Sequence, residues 1–292
     1  MPVDHEIDSR NKNIQIYING SFYHRDEAKI SVYDSGFLMG DGIWEGLRLV
    51  NNKWIFIDEH IDRLFEGCKA IDLDIKMTKE DIVNALDETK AINNMSNEVH
   101  ARLMITRGNK SKPFQQPHLS ESGINIVIIM EHSKPSIDVK NITMVTVPQV
   151  RGMPMSQDPK LNSHSKLNCI LACIQANKLG ADEALMLDPL GFVNTTNSCN
   201  FFIVKNNQVW TSTGDYCMNG VTRQNIINLC KENDIPIYEK NFSLVDVYSA
   251  DEAFITGTLG SLTNVTSIDN RNIGKDNNPI SDKLRNYYKK LL

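Results

Sequence analysis

The sequence predicts an α+β protein of two domains, and three observations predict it. The chain has 292 residues, which at about 150 residues per domain makes roughly two. Strand signals of period two with turn dipeptides are interspersed with amphipathic stretches whose apolar residues recur at three and four. A polar, aperiodic stretch, Glu131–Lys140 (EHSKPSIDVK), interrupts the pattern near the middle. A smaller α+β domain is therefore expected over residues 1–130, a linker over 131–140 and a larger domain over 141–292.

Composition narrows the function classes. The hydrophobic fraction is 41% and the charged fraction 23%, ordinary for a soluble globular protein. A chain of this length can bury a large core without disulfides or a structural metal. The net charge of −5 and pI near 5.8 exclude the basic stripe of a general nucleic-acid binder. No apolar run approaches the roughly 18 residues that a membrane helix needs. The opening run MPVDHEIDSRNKN is polar and acidic, unlike a secretory signal or transit peptide, and predicts a cytoplasmic protein. The six cysteines (Cys68, Cys169, Cys173, Cys199, Cys217 and Cys230) read as reduced thiols. Cys169 and Cys173 share a helix face, but His164 alone stands near them as a further metal ligand. They read as small buried apolar groups, and no metal is expected.

The elements follow in order. Residues 1–13 read as a loose arm. Ile14–Ile18 alternates and runs into Asn19-Gly20, a hairpin signal. Trp44–Val50, Asn51-Asn52 and Trp54–Ile57 read as strand, turn and strand. Asp58 is the expected cap of a helix that buries Ile61, Leu64, Phe65, Cys68 and Ile71. Thr78 and Asp81 form a capping box for a helix to about Ile92. Strands are expected at Ala101–Thr106, Ile124–Met130 and Thr143–Val147. A loop rich in Pro, Gly and Met precedes a helix over Leu167–Leu179, closed by Gly180. Ala184–Leu187 and Phe201–Val204 read as strands, with a turn at Asp188-Pro189-Leu190-Gly191. Thr222 is the expected cap of a helix to about Glu232. A short strand at Phe254–Thr256 runs into Gly257, and a last helix covers Ile280–Leu291.

Three segments are suited to holding an anion. Asn219-Gly220-Val221-Thr222-Arg223 precedes a helix, whose free N–H groups, hydroxyl and positive dipole end make a phosphate seat; the same residues also read as an ordinary cap. Thr256-Gly257-Thr258-Leu259-Gly260 follows an apolar strand, and its small and hydroxyl residues let the backbone approach a ligand, as in many plain turns. Arg63 offers a guanidinium that grips phosphate bidentately; paired with Asp62 or Glu66, it would be a surface ion pair instead.

Taken in order, these segments resemble the class IV aminotransferases, the fold-type IV pyridoxal-phosphate enzymes. That family holds branched-chain aminotransferases, D-amino-acid transaminases and aminodeoxychorismate lyases. The resemblance runs from about Ile14 to Asp269. It rests on GDGIWEGLR (40–48), DEHIDRL (58–64), TRG (106–108), ADEAL (181–185), NGVTR (219–223) and TGT (256–258). It implies a two-domain fold with pyridoxal 5'-phosphate in the interdomain cleft, a homodimer, and an amino acid and a 2-oxo acid as substrates. It further implies that Arg63, Val221, Thr222, Gly257 and Thr258 hold the cofactor phosphate and its surroundings, and that Met218 lies near one face of the ring. Arg48 and the backbone at Thr258–Leu259 would meet the substrate, with Trp44 as the aromatic of the arginine's motif. These roles cohere, because the cofactor needs an anion seat, a lysine for its aldehyde and a partner for its ring nitrogen.

Two positions depart from the family pattern. A glutamate normally serves the ring nitrogen two residues after the valine of the Gly-Phe-Val run. Here that position is Thr195, whose neutral hydroxyl stabilises a protonated ring nitrogen less than a carboxylate does. Elimination or racemisation is then an alternative to transamination. The second departure is the lysine. Lys166-Leu167-Asn168 resembles the Lys-x-Leu-Asn run of D-amino-acid transaminases shortened by one, which makes Lys166 the catalytic candidate. Counting back without gaps from Ala181–Leu185 instead puts the family lysine at Asn162, with Lys160 two residues earlier as the reserve. If no lysine reaches the site, the protein is a binding protein on an inherited scaffold. His164 either assists proton transfer or satisfies a local hydrogen bond. In Thr106–Pro117 (TRGNKSKPFQQP), a candidate flap, Lys112 and Phe114 stand where D-amino-acid transaminases carry Arg and His. Lys110 and Lys112 read equally as solvated. Phe37 stands for a tyrosine of that subgroup. The resemblance implies a donor of the branched-chain or D-amino-acid type.

Overall fold

Asn19 and Gly20 take φ of +49° and +85°, the left-handed pair that a two-residue hairpin requires, and join β1 (Gln15–Ile18) to β2 (Ser21–His24). The computed structural model describes residues 8–133, 141–274 and 278–292. These group into two units: residues 8–133 with 162–166, and residues 141–161 with 167–274 and 278–292.

In the first unit, α1 (Ser35–Met39) precedes β3 (Gly42–Val50), and Asn51-Asn52 turns the chain into the two-residue β4 (Lys53–Trp54). Two helices, α2 (Ile57–Ala70) and α3 (Lys79–Ile92), are followed by β5 (Val99–Thr106) and β6 (Asn125–His132). The strands form one sheet in the order β2-β1-β6-β5-β3-β4. The sheet buries Ile43, Leu47, Leu49, Leu103 and Ile105, and α2 adds Ile61, Leu64 and Cys68 to the same core. Thr78 and Asp81 form the expected capping box on α3.

The second unit contains β7 (Ile142–Thr146), α4 (Pro154–Gln157), α5 (Leu167–Lys178), β8 (Glu183–Leu187), β9 (Val193–Thr196), β10 (Asn200–Lys205) and β11 (Gln208–Thr211). There follow α6 (Val221–Glu232), β12 (Ile237–Glu239), α7 (Leu244–Tyr248), β13 (Glu252–Gly257), β14 (Ser261–Ile268), β15 (Arg271–Asn272) and α8 (Pro279–Lys289). The sheet runs β12-β11-β10-β13-β14-β7-β8-β9, with β15 on β14. A further pairing of β9 to β10, Thr195 opposite Asn200, closes the path β10-β13-β14-β7-β8-β9 on itself. Strand β10 is buried over its first five residues, so it reads as an apolar run rather than an alternation.

Several expectations are corrected. The cap of α2 is Phe56, at φ +54°, because the chain is already helical at Ile57; Asp58 sits in the first turn, where it favours the helix dipole. The cap of α6 is Gly220 rather than Thr222, which is the second helical residue. The strand expected over Trp54–Ile57 ends at Trp54. Ser9–Asn13, within the expected loose arm, forms a 3-10 helix capped by Asp8, while residues 1–7 of that arm lie outside the described residues. Of the expected linker, Glu131 and His132 still pair within β6, and residues 134–140 lie outside the described residues. Residues 162–166 group with the first unit rather than with the chain around them.

All six cysteines are free, and burial pushes the Cys68 and Cys230 thiols up to about 12. Among the described residues, no helix is long and apolar enough to cross a membrane.

Gly108 takes φ +87°, and a Cβ there would lie 1.7 Å from the Gly123 carbonyl oxygen; Gly20 takes φ +85° with open space around it. Gly108→Ala is expected to cost well over the roughly 1–2 kcal/mol of left-handed strain alone, and Gly20→Ala only that strain. Urea unfolding of the two variants side by side checks the difference.

Candidate functional site

The alternation of β3 sends its residues to two faces. Ile43, Leu47 and Leu49 enter the core, and Glu45 goes with them: it is 0% exposed. A carboxylate there must be paired. Its partners come from α2, where Arg63 donates from Nε to Oε1 (2.8 Å) and from Nη2 to Oε2 (2.7 Å), and His60 Nδ1 lies 2.8 Å from Oε2. Burial pushes the Glu45 carboxyl up, but the hydrogen bonds from Arg63 and His60 outweigh it and hold the carboxyl below its ordinary value. Arg63 is therefore held by a strand residue, Glu45.

The other face of β3 carries Trp44, Gly46 and Arg48, opposite Met104, Arg102 and His100 of β5. The Arg102 guanidinium stacks 4.0 Å from the Trp44 ring, and the Lys166 amine lies 5.6 Å from the same ring. Gly46 makes room, since a Cβ there would come within 3.1 Å of His100 Nε2. Burial, aided by the charge of Arg102 and of His60, pushes His100 down to about 4. Arg48 is buried.

Residues 162–164 add to the edge of β3, with Ser163 bridging Ile43. Asn162, at the gap-free position of the family lysine, is buried. Its Nδ2 donates to the Trp44 carbonyl (2.6 Å), and its own carbonyl accepts from the Trp44 N–H (3.0 Å). Lys166 follows immediately before α5. Lys160 is exposed and lies in the second unit.

Phe37 is exposed on α1, whose cap is Asp34. Arg107 ties the end of β5 to Asp41 and to the carbonyls of Ile71 and Asp72, so the arginine of the TRG run is a scaffold residue. In the loop beyond it Lys112 and Phe114 are exposed, whereas Lys110 is buried and donates to the Gln116 carbonyl (3.1 Å).

In the second unit, Asn200 organises the other group of candidates. It stands between Thr195 on β9 and Thr256 on β13. Its Nδ2 donates to the Met218 carbonyl (2.9 Å), and a Cβ on Gly220 would fall 2.3 Å from its Oδ1. A Cβ there would displace the Asn200 side chain, and its absence lets the start of α6, Val221 and Thr222, lie against β10. Gly220 supplies no side-chain cap, so the first N–H groups of α6 have none. Thr222 is buried, 3.5 Å from the Tyr288 hydroxyl. The Thr256 hydroxyl is sealed from solvent and has no hydrogen-bond partner among the described residues. Gly257, Thr258 and Leu259 turn from β13 to β14, with Gly257 paired to Ser261. The Thr195 hydroxyl donates to the Cys199 carbonyl (2.6 Å), so its proton is committed while its oxygen can still accept.

Sequence reasoning passed over Glu45, Arg102 and Asn200. Glu45 carried a signal: it is the one acid within the alternating apolar set Ile43, Leu47 and Leu49. Asn200 carried none, because its partners are set by strand pairing.

The profile of the family described as amino-transferase class IV matches residues 42–268. Branched-chain-amino-acid aminotransferase-like protein 2 of Arabidopsis thaliana is 36% identical over 96% of this chain and 51% of its own length. The chain thus spans about half the length of that relative. A putative branched-chain-amino-acid aminotransferase of Methanocaldococcus jannaschii is 37% identical over 95% of this chain and 96% of its own. A D-alanine aminotransferase of Listeria monocytogenes is 31% identical over 94% and 95%. Among solved structures, the branched-chain aminotransferase of the thermophilic archaeon Thermoproteus uzoniensis with norvaline superposes with a TM-score of 0.87. It is 26% identical, and the match covers 95% of this chain and 94% of its own.

Glu45→Gln is expected to destabilise the protein by about 3 kcal/mol at pH 7, since it disrupts a buried ion pair. A carboxyl whose folded pKa is depressed gives its full stabilisation above the unfolded value of 4.5 and loses it as pH falls through the lower folded value. The gap between wild type and variant should therefore shrink in acid. Urea midpoints at pH 7 and pH 3 check both the size and the sign.

Proposed function

The chain belongs to the class IV aminotransferase family, and we propose that it is a pyridoxal-phosphate-dependent aminotransferase. It moves the amino group of an α-amino acid, of the branched-chain or D-amino-acid type, to a 2-oxo acid in two half-reactions. The observation that carries this reading is the uncapped start of α6 beside Asn200 and the buried, unpartnered Thr256 hydroxyl, a set of donors that fits a phosphate. The names of the relatives favour transamination over the lyase or racemase reading that Thr195 motivates.

The bound cofactor supplies an electron sink that acidifies the substrate Cα–H. The N–H groups of Val221 and Thr222, with the segment Gly257-Thr258, hold its phosphate. Arg63 adds a guanidinium whose orientation Glu45 fixes. Met218 would lie near one face of the ring. Thr195 offers the ring nitrogen a neutral oxygen acceptor, which leaves the sink weaker than a carboxylate would. Lys166 would hold the cofactor through its aldehyde and would move a proton at the substrate Cα. Arg48, Phe37, Lys112 and Leu259 contact the substrate.

The protein works as a homodimer in the cytoplasm. Support for a second copy comes from α5, where Leu167, Ile170, Leu171 and Ile174 recur at three and four and are 67%, 52%, 45% and 44% exposed. Ile170→Asp with Ile174→Asp is expected to turn a dimer into a monomer in sedimentation; a wild-type monomer would overturn this assignment.

Borohydride reduction of the loaded protein, followed by peptide mapping, is expected to tag Lys166. A tag on Lys160 keeps the enzyme and corrects the residue; no tag despite bound cofactor leaves a binding protein. With branched-chain L-amino acids and D-alanine as donors, a 2-oxo acid product should accumulate catalytically only when a second 2-oxo acid is supplied. Turnover without an acceptor would replace transamination with elimination or racemisation.

A further inference from the structure

His164, half-buried, is a titratable group that the mechanism above leaves without a task. It belongs to the edge segment of β3, where its N–H donates to the Gly42 carbonyl (2.9 Å). Ser163 pairs with Ile43, so the neighbouring pairs are His164 with Gly42 and Asn162 with Trp44. In an antiparallel pair, opposite residues share a face. His164 therefore stands on the face of β3 that carries Trp44, and not on the core face of Ile43 and Glu45. The absence of a side chain at Gly42 admits the ring, since a Cβ there would lie 3.1 Å from His164 Cδ2 and 3.2 Å from Nε2. Nε2 is sealed from solvent and has no hydrogen-bond partner among the described residues. Leaving such an atom unmatched is costly, which marks it as an atom with a use.

The same face holds the Lys166 amine and the Arg102 guanidinium, both against the Trp44 indole. Lys166 follows His164 by two residues. An amine must be neutral to attack an aldehyde, and must exchange a proton to carry one from a substrate carbon.

We infer that His164 is the proton-exchange partner of Lys166: its unpartnered Nε2 takes a proton from the Lys166 ammonium and later returns it. In the forward step an Nζ–H bond breaks, the electron pair stays on Nζ, and the proton binds the Nε2 lone pair to form an imidazolium. The reverse step restores both groups, so no oxidant or co-reactant is needed. The inference rests on Lys166 being the reactive amine.

The charges around the ring suit a base. Burial is the largest influence and pushes His164 below its ordinary value. A backbone hydrogen bond at Ile43 and the charge of Asp34, the cap of α1, act in the opposite direction, and Arg102 of β5 and Lys166 itself add to the lowering. The outcome is a ring that is neutral at pH 7 and available as an acceptor.

The test uses the full chain and the rate at which it takes up pyridoxal phosphate, followed by absorbance across pH, with borohydride mapping of the product. Wild type should be tagged at Lys166, and its uptake rate should rise with pH to a plateau whose midpoint lies below about 6.5, the ordinary imidazole value. His164→Gln should still be tagged at Lys166 but take up the aldehyde about 100-fold more slowly, without that limb in its profile. In the cofactor-free protein, the ring's Cε1 proton should titrate by NMR at the same midpoint. A tag on Lys166 with an unchanged rate and profile in the variant would overturn the role of His164 and leave the lysine reading intact. No tag on Lys166 in wild type would overturn both. Unfolding of each protein in urea separates a loss of proton exchange from a loss of fold.

Discussion

A carboxylate buried beneath a helix governs the first unit. Glu45 is sealed from solvent, so it is tolerable only while Arg63 and His60 remain in place. That requirement locks the rotation of α2 over β3. It also fixes the guanidinium of Arg63, a long side chain that would otherwise sample many rotamers. The same alternation that buries Glu45 delivers Trp44 and Arg48 to the opposite face, where Arg102, His100 and Lys166 gather around the indole. One strand thus supplies an ion pair on one face and a polar cluster on the other, and neither can shift register without disturbing the other.

The second unit is organised by hydrogen bonding rather than by charge. Asn200 lies where β9, β10 and β13 meet, and its amide reaches the chain that leads into α6. The absence of a side chain on Gly220 lets that chain approach. The start of α6, the Thr256 hydroxyl and the turn that follows it are thereby built on a closed path of strands.

Two positions depart from the family pattern. Thr195 offers an oxygen where a carboxylate is usual, and Asn162 spends its amide on the Trp44 backbone where a lysine is usual. Both replacements are neutral and both are satisfied by the protein itself. The amine that remains near this segment, Lys166, shares its face with the ring of His164, which has an unpaired nitrogen.

Element types, turns and family were determined by the sequence itself. The Asn19-Gly20 hairpin, the Thr78–Asp81 capping box, the periodicity of α2 and α3 and the ordered set of motifs all act over a few neighbouring residues, where local backbone preference decides. The misplaced caps at Asp58 and Thr222 mark the limit of that reasoning, since a capping residue type one or two positions inside a helix has the same composition as a true cap. Only the tertiary structure decided that Glu45 is held by a residue 18 positions away and that Asn162 bonds to one 118 positions away. It also decided that Lys110 is buried while Lys112 is exposed, and that residues 162–166 group with the first unit. Such partners are chosen by strand register and by the cost of an unpaired buried polar group. Both are set by the whole chain's packing, and neither leaves a local trace in the sequence.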